Sequence, residues 1–375
     1  MNNNCKIKTV GILSFISSEN YGANLQAVAL QYKLNEFKVY NTYINYKHKE
    51  KLSGIRKLKH ICFSCVRQIF GYKLRKKKTD IFRSKYLSLS DKVNSYDDLS
   101  KITIKYDSFI VGSDQVWNPR FVSPEENGYL LSFENSKPKY SYGSSFGVAE
   151  IEESDKVIYR NALNKFAILT VRENSGCNII KDLGINAEVV LDPTLLLDQY
   201  EWLNFYNPKP IKNCKYILCY VMNGDNLSID YIRRYASNLR QSLDCDYNIY
   251  FIGDKEYKRL YFNYNLICDA GPSEFLNLIH NASYVITNSF HGTCFAINFK
   301  KQFKTILRRT NRFNTRIEDL LNKLSLDDFI QYIDEDIHGM RQFVPPTEES
   351  ICKLVNLRND SLNILKQIAE NNKNI

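Results

Sequence analysis

A chain of 375 residues, 44% hydrophobic and 25% charged, has enough apolar content for two domains with separate cores, which excludes a largely disordered protein. No apolar run approaches a membrane span, and Met1 to Lys8 lacks the charged-then-apolar order of a signal peptide, so a cytoplasmic protein is expected. The formal net charge is +10, and the ten cysteines lie scattered in apolar segments, as reduced thiols do, which excludes a disulfide framework.

Apolar runs of strand length alternate with helical patterns along the chain. Residues 9–16 read as the opening strand, and the turn SSENYGAN that follows leads into a helix over 23–37, with Leu25, Val28, Ala29 and Tyr32 on one face. Gly22 permits close backbone approach there, and Asn20 and Asn24 either cap the helix or hydrogen-bond a sugar or phosphate ligand together with Tyr21. After a strand over 39–45 comes a segment, 47–85, crowded with Lys and Arg and interleaved with Ile61, Phe63, Val66, Ile69 and Phe70. It reads either as a solvated helix face or as an amphipathic patch for anionic lipid; no nucleic-acid motif accompanies the charge. Cys62 and Cys65 have metal-like spacing without a second pair or a nearby histidine, so no metal centre is expected.

A strand over 108–111 ends at GSDQVWN. Asp114 there is either a helix cap or a general base; Trp117 either packs in the core or stacks on a sugar, with Gln115 and Asn118 beside it. The strand over 140–144 runs into SYGSSFG, where Ser144 and its neighbours suit the floor of a cleft. A helix over 154–166 and a strand over 168–172 precede TVRENS, whose Arg172 either forks onto phosphate or carboxylate or forms an ion pair with Glu173 or Asp192. A helix over 175–183 and a strand over 188–191 complete a first half, and the prolines between Asp192 and Lys212 mark a break.

The second half repeats the alternation. Strands are expected over 216–222, 247–252, 266–268, 284–287 and 303–307, and helices over 227–243, 274–280 and 316–324. The strand 284–287 stops at TNSFHG, placing Ser289, His291 and Gly292 at a helix start suited to an anion. The basic run Arg308, Arg309, Arg312 and Arg316 follows the next strand and suits a multiply charged anion. A last helix over 347–368 is placed to pack back across the junction. The expected class is α/β, two Rossmann-like doubly wound domains facing a cleft: 1–195 on the acceptor side, 196–345 on the donor side, and a tail over 346–375.

The ordered series SSENYGANLQAVAL, FIVGSDQVWNP, SYGSSFG, LTVRENSG, VVLDPTLLL, TNSFHGTCFAI and RRTNRFNTRIEDLL resembles the polysaccharide pyruvyl transferase family, from about Lys8 to Leu324. The resemblance implies a GT-B-like fold and transfer of the pyruvyl unit of phosphoenolpyruvate onto two hydroxyls of one sugar, forming a ketal and releasing phosphate, with no further cofactor. It maps the family's histidine onto His291, as general acid or phosphate ligand, and its strand-end arginine onto Arg172. Many members carry an arginine two positions before the histidine. Here that position is Ser289, and Arg308, Arg309, Arg312 or Arg316 is expected to supply the charge, with Gly292 completing the donor site. Asp114 is the candidate base for the acceptor hydroxyl. Acceptors assembled on polyprenyl-diphosphate carriers would suit a peripheral place at an anionic membrane surface. A nucleotide-sugar glycosyltransferase of the same architecture and an inactive sugar-binding relative are the alternatives.

Overall fold

The computed structural model describes residues 8–16, 19–47, 71–222, 226–243, 246–253, 265–309, 314–337 and 343–373. Cys62, Cys65, Arg312 and the stretch 48–70 of the basic segment lie outside the described residues. The first sheet joins β1 (Thr9–Leu13), β2 (Tyr40–Tyr46), β3 (Leu89–Val93), β4 (Ser108–Val111) and β5 (Lys139–Ser141) in the order β3-β2-β1-β4-β5, all parallel. Among the described residues, three helices belong to this part of the chain: α1 (Tyr21–Glu36), α2 (Tyr72–Tyr86) and α3 (Tyr96–Ile102). Beyond β5, α4 (Glu153–Leu163) leads to a parallel pair, β6 (Thr170–Val171) and β7 (Glu188–Val189), linked by α5 (Asn174–Asp182). Bridges from Tyr140 to Ile168 and from Ser144 to Val171 tie that pair to the first sheet.

The second sheet is also parallel. It joins β8 (Tyr216–Val221), β9 (Asn248–Gly253), β10 (Asn265–Ile267), β11 (Tyr284–Thr287), β12 (Gln302–Leu307) and β13 (Ile330–Tyr332) in the order β10-β9-β8-β11-β12-β13. The helices α6 (Asn226–Gln241), α7 (Pro272–Asn281), α8 (Phe290–Asn298) and α9 (Thr315–Lys323) connect its strands. Strands of such sheets are covered on both faces and read as continuous apolar runs. In β8, YILCYV, every residue is buried: Tyr216, Leu218 and Tyr220 join a cluster shared with Val10, Ile12 and Leu25 of the first half, and Ile217, Cys219 and Val221 pack under Tyr235 of α6.

The predicted strands are present, several a residue or more shorter at their ends. Two strands and two helices were not expected. The segment LSDKV forms β3, a polar edge strand, and β13 is an edge of three residues; both lack the apolar pattern that marks a central strand. The basic segment supplies α2, whose Lys and Arg content conceals a buried stripe of Tyr72, Arg75, Thr79 and Phe82.

The C-terminal helix, α10 (Glu348–Lys373), touches both halves. Arg358 donates from Nε to the Leu195 carbonyl at 2.6 Å and from a terminal nitrogen to Asn298 Oδ1 at 3.2 Å. Farther along, Ser361 Oγ accepts from the Leu191 N–H at 2.9 Å, and Asn372 Oδ1 accepts from Ser108 Oγ at the start of β4.

Candidate active site

Strand order reverses at β1/β4 in the first sheet and at β8/β11 in the second, and ligands of open parallel sheets bind beyond the carboxyl ends at such points. The loops leaving those ends meet here. From the second sheet, β11 ends at Thr287, whose hydroxyl accepts from the Ser289 N–H at 3.0 Å; Ser289 then caps α8 by accepting from the Gly292 N–H at 3.3 Å. The N–H groups of Phe290 and His291 occupy the first helical turn, where no intrahelical acceptor exists. From the first sheet, β4 delivers Ser113 and Asp114, and β6 delivers Arg172 and Glu173.

At the centre is Asp192, fully buried on the loop after β7. Its Oδ1 accepts from the Thr194 N–H at 3.0 Å and hydroxyl at 2.7 Å; its Oδ2 accepts from Ser113 Oγ at 2.8 Å and Arg172 Nη1 at 2.9 Å, and faces His291 Nε2 at 3.6 Å. Burial raises the carboxyl's pKa, but His291, Arg172 and the Thr194 N–H outweigh it and hold Asp192 far below the ordinary carboxylate range. Arg172 is 0% exposed and lies among three carboxylates, with Asp114 and Glu173 each at 3.5 Å. Burial opposes its charge, yet Asp192, Asp114 and Glu173 keep the guanidinium ionised. Glu173 also accepts from Ser145 Oγ at 2.7 Å and from the N–H groups of Phe146 and Gly147, fixing the SSFG loop.

Phe290 forms the floor between two arginines. The guanidinium of Arg172 lies 4.8 Å from its ring and that of Arg316, from the first turn of α9, at 5.7 Å, while the His291 ring meets it edge-on at 5.3 Å. Burial, and then the like charge of Arg172, push Arg316 down to about 10. Arg172 Nε and Nη2, Arg316 Nε and His291 Nε2 are buried without a hydrogen-bond partner. Of these residues Arg172 lines a half-enclosed pocket of about 100 Å³, together with Asp192, Phe290, Asp319, Lys323 and Asp360 and an apolar wall that includes Leu320 and Leu357. Asp114 reaches the same cluster from a left-handed backbone conformation, φ 82°, which costs an L-residue roughly 1–2 kcal/mol.

The structure brings His291, Arg172, Asp114, Ser289 and Arg316 together, with Gly22 against His291, and places the other predicted residues among those described elsewhere. Arg309 is held by Asp334 at 3.2 Å and Glu335 at 2.7 Å, and Arg308 and Arg309 line a different pocket. Gly292 is a packing position, since a Cβ there would lie 2.4 Å from Thr287 Oγ1, and its N–H is taken by Ser289 Oγ. Trp117 is corrected from a sugar-stacking face to a core residue: it is 0% exposed, donates to the Tyr129 carbonyl and packs on Phe146 and Phe166. Asn118 is likewise internal, donating to Gln115 Oε1 at 2.8 Å, and Ser144 donates to the Gly112 carbonyl at 3.0 Å. Asn20 is the N-cap of α1 and Asn24 donates back to the Asn20 carbonyl, so local helix geometry accounts for both.

Tyr21 and Gly22 join the two halves. Tyr21 stacks on Phe275 at 4.5 Å, beneath Arg75 at 4.2 Å, and donates to the Ala270 carbonyl at 2.8 Å. The close approach expected at Gly22 is an approach to His291, whose Nδ1 would lie 1.9 Å from a Cβ at that position. Ser113 and Phe290 carried no functional signal in the sequence, and Glu173 was visible only as an ion-pair partner for Arg172. Asp192 was visible only as an ion-pair partner for Arg172, which it is.

A family model described as polysaccharide pyruvyl transferase matches residues 20–306. No curated protein matches the sequence. Among solved structures, S. aureus MnaA in a co-structure with UDP is similar at 10% identity and TM-score 0.53, over 97% of this chain and 91% of that one. UDP-N-acetylglucosamine 2-epimerase from Rickettsia bellii follows at 11% identity and TM-score 0.50, covering 97% of each chain. UDP-GlcNAc 2-epimerase from Methanocaldococcus jannaschii is similar at 13% identity and TM-score 0.50, over 93% and 92%. These likenesses establish the GT-B-like fold.

Proposed function

The chain belongs to the polysaccharide pyruvyl transferase family and is a transferase, and from that premise we propose that it moves the pyruvyl unit of phosphoenolpyruvate onto two hydroxyls of one sugar in a cell-surface polysaccharide or its precursor. The observation that carries the donor assignment is the pair of guanidiniums, Arg172 and Arg316, flanking Phe290 with buried nitrogens that form no hydrogen bond, those of Arg172 having carboxylates no nearer than 3.5 Å. An anion carrying both carboxylate and phosphate relieves their mutual repulsion and pairs those donors, assisted by the first-turn N–H groups of α8. Arg316 thus takes the place of the family arginine that is Ser289 here.

The chemistry needs one proton added and two removed. A sugar hydroxyl attacks the central carbon of the donor while the methylene carbon takes a proton and becomes methyl; a second hydroxyl then displaces phosphate, which leaves with the remaining proton, closing the ketal. His291 supplies the proton to the methylene carbon, oriented by Asp192, and Asp114 takes the proton of the attacking hydroxyl. Titration calorimetry with phosphoenolpyruvate and with a panel of sugar nucleotides tests this reading. Phosphoenolpyruvate is expected to bind at least tenfold more weakly to Arg316→Ala and Arg172→Ala, and His291→Ala to bind it normally without releasing phosphate. Full turnover by His291→Ala overturns the acid assignment; selective binding of a sugar nucleotide moves the chain to glycosyl transfer.

The acceptor side of the proposal includes an anionic membrane surface. No helix among the described residues is long and apolar enough to cross a membrane. On α2, Arg75 and Lys78 face inward to Glu19, Gly253 and Glu274, whereas Lys73, Lys76, Lys77 and Lys85 face outward beside Leu74 and Ile81, which are 45% and 55% exposed. Basic and apolar side chains on one solvent face suit an anionic bilayer, at about 1 kcal/mol per charge. Reversing those four lysines to glutamate is expected to weaken cosedimentation with phosphatidylglycerol vesicles at least tenfold; unchanged binding rejects the membrane assignment.

A further inference from the structure

A second pocket, of about 310 Å³, opens at the carboxyl ends of β12 and β13 against the first turns of α6. Arg308 and Arg309 enter it from the end of β12, and Arg234 from α6, with Asp334 as its lining carboxylate. Arg309 is fixed in place: its guanidinium lies 3.8 Å from the centre of the Tyr332 ring, and Asp334 and Glu335 hold it from the side. Tyr231 donates to the Glu335 carbonyl at 3.1 Å and, with Leu227 and Ile333, gives the pocket an apolar wall. It shares no lining residue with the pocket at Arg172, yet β12 is the immediate neighbour of β11, which carries His291.

We propose that this pocket seats a diphosphate borne by the acceptor sugar, an assignment that rests on the pyruvyl-transfer reading of the neighbouring site. Three guanidiniums from two elements form a multidentate receptor for phosphoryl oxygens, where a single carboxylate would engage only one fork. The volume exceeds that of the pocket at Arg172 threefold, and the apolar wall receives whatever organic group the diphosphate carries. A diphosphate held there does not compete for Arg172 and Arg316, neither of which lines this pocket.

The test is titration of the full chain with inorganic pyrophosphate, UDP and farnesyl diphosphate, using Arg234→Ala and Arg308→Ala, whose side chains are exposed. Pyrophosphate is expected to bind the wild type saturably, at least tenfold more weakly to each variant, and normally to Arg316→Ala. Tighter binding of UDP identifies a nucleotide-borne diphosphate and tighter binding of farnesyl diphosphate a lipid-borne one; either supports the shared chemistry. Absence of pyrophosphate binding, or binding that survives both variants and falls with Arg316→Ala, overturns the proposal. If pyrophosphate behaves as expected and phosphoenolpyruvate does not bind, the pocket stands as an anion site and the pyruvyl-donor reading fails instead.

Discussion

Replacing Asp192 with alanine is expected to destabilise the protein by about 3–5 kcal/mol, because the substitution leaves a buried guanidinium without its shortest ion pair. Asp192 is 0% exposed and receives Arg172, Ser113 and Thr194 in hydrogen bonds, so truncation strands a charge and two hydroxyls at once. Asp192→Asn keeps an acceptor for Thr194 but loses the charge, and is expected to lose less. The sign of the pH dependence follows from the depressed carboxyl. A group whose folded pKa lies below its unfolded value stabilises fully above that unfolded value, about 3.9, and loses its contribution as pH falls through the folded one. Urea unfolding should therefore show the full gap between wild type and Asp192→Asn at pH 7 and a narrowing gap below about pH 4. A gap that is small at pH 7, or that widens on acidification, shows that Asp192 is not the ionised centre of the cluster. Activity separates the roles further: Asp192→Asn should lower kcat more than it raises KM, since Asp192 faces His291 and fixes its ring.

The alternation of apolar runs was legible because both sheets are parallel and covered on both faces, so central strands such as FIV before Gly112 and YVIT before Asn288 stand out against helices of a different period. The polar turns after them are site loops because strand order reverses there, a property of topology that residue spacing alone does not reveal. His291, Arg172 and Asp114 could be found in those turns, each with an open structural alternative. Arg172 is ion-paired, one of its two readings, and it also lines the pocket. Trp117 went the other way, because an indole beside a polar turn looks the same in sequence whether Tyr129 or a sugar receives its N–H. Choosing Arg316 from the basic run needed the third dimension. Arg308 and Arg309 line another pocket, and among the described residues of the basic run it is Arg316, in the first turn of α9, that reaches the Phe290 ring. Charge count along the chain does not distinguish an arginine that shares a ring with Arg172 from one paired to Asp334.

Gly22→Ala is expected to lower turnover at least a hundredfold while leaving the fold standing, because the added methyl occupies space the His291 imidazole fills. A Cβ at position 22 would lie 1.9 Å from Nδ1, 2.2 Å from Cγ and 2.6 Å from Cε1, well inside contact distance, so either the ring swings off Asp192 or α1 withdraws from α8. Overpacking of this kind costs about 1–3 kcal/mol, and better helix propensity for alanine within α1 offsets up to about 1 kcal/mol of it. The net stability change is therefore small beside the effect of displacing the imidazole. A double-mutant cycle isolates the contact. In a His291→Ala background the ring atoms are gone, and Gly22→Ala should cost nothing or stabilise by about 1 kcal/mol, the propensity difference alone. Equal destabilisation in both backgrounds would show that the methyl collides with something other than His291. Because Gly22 belongs to the first half and His291 to the second, strong coupling between them means that the imidazole is placed by the docking of the two halves. Any change that loosens the Tyr21 stack on Phe275 should then reach His291 through the same helix turn.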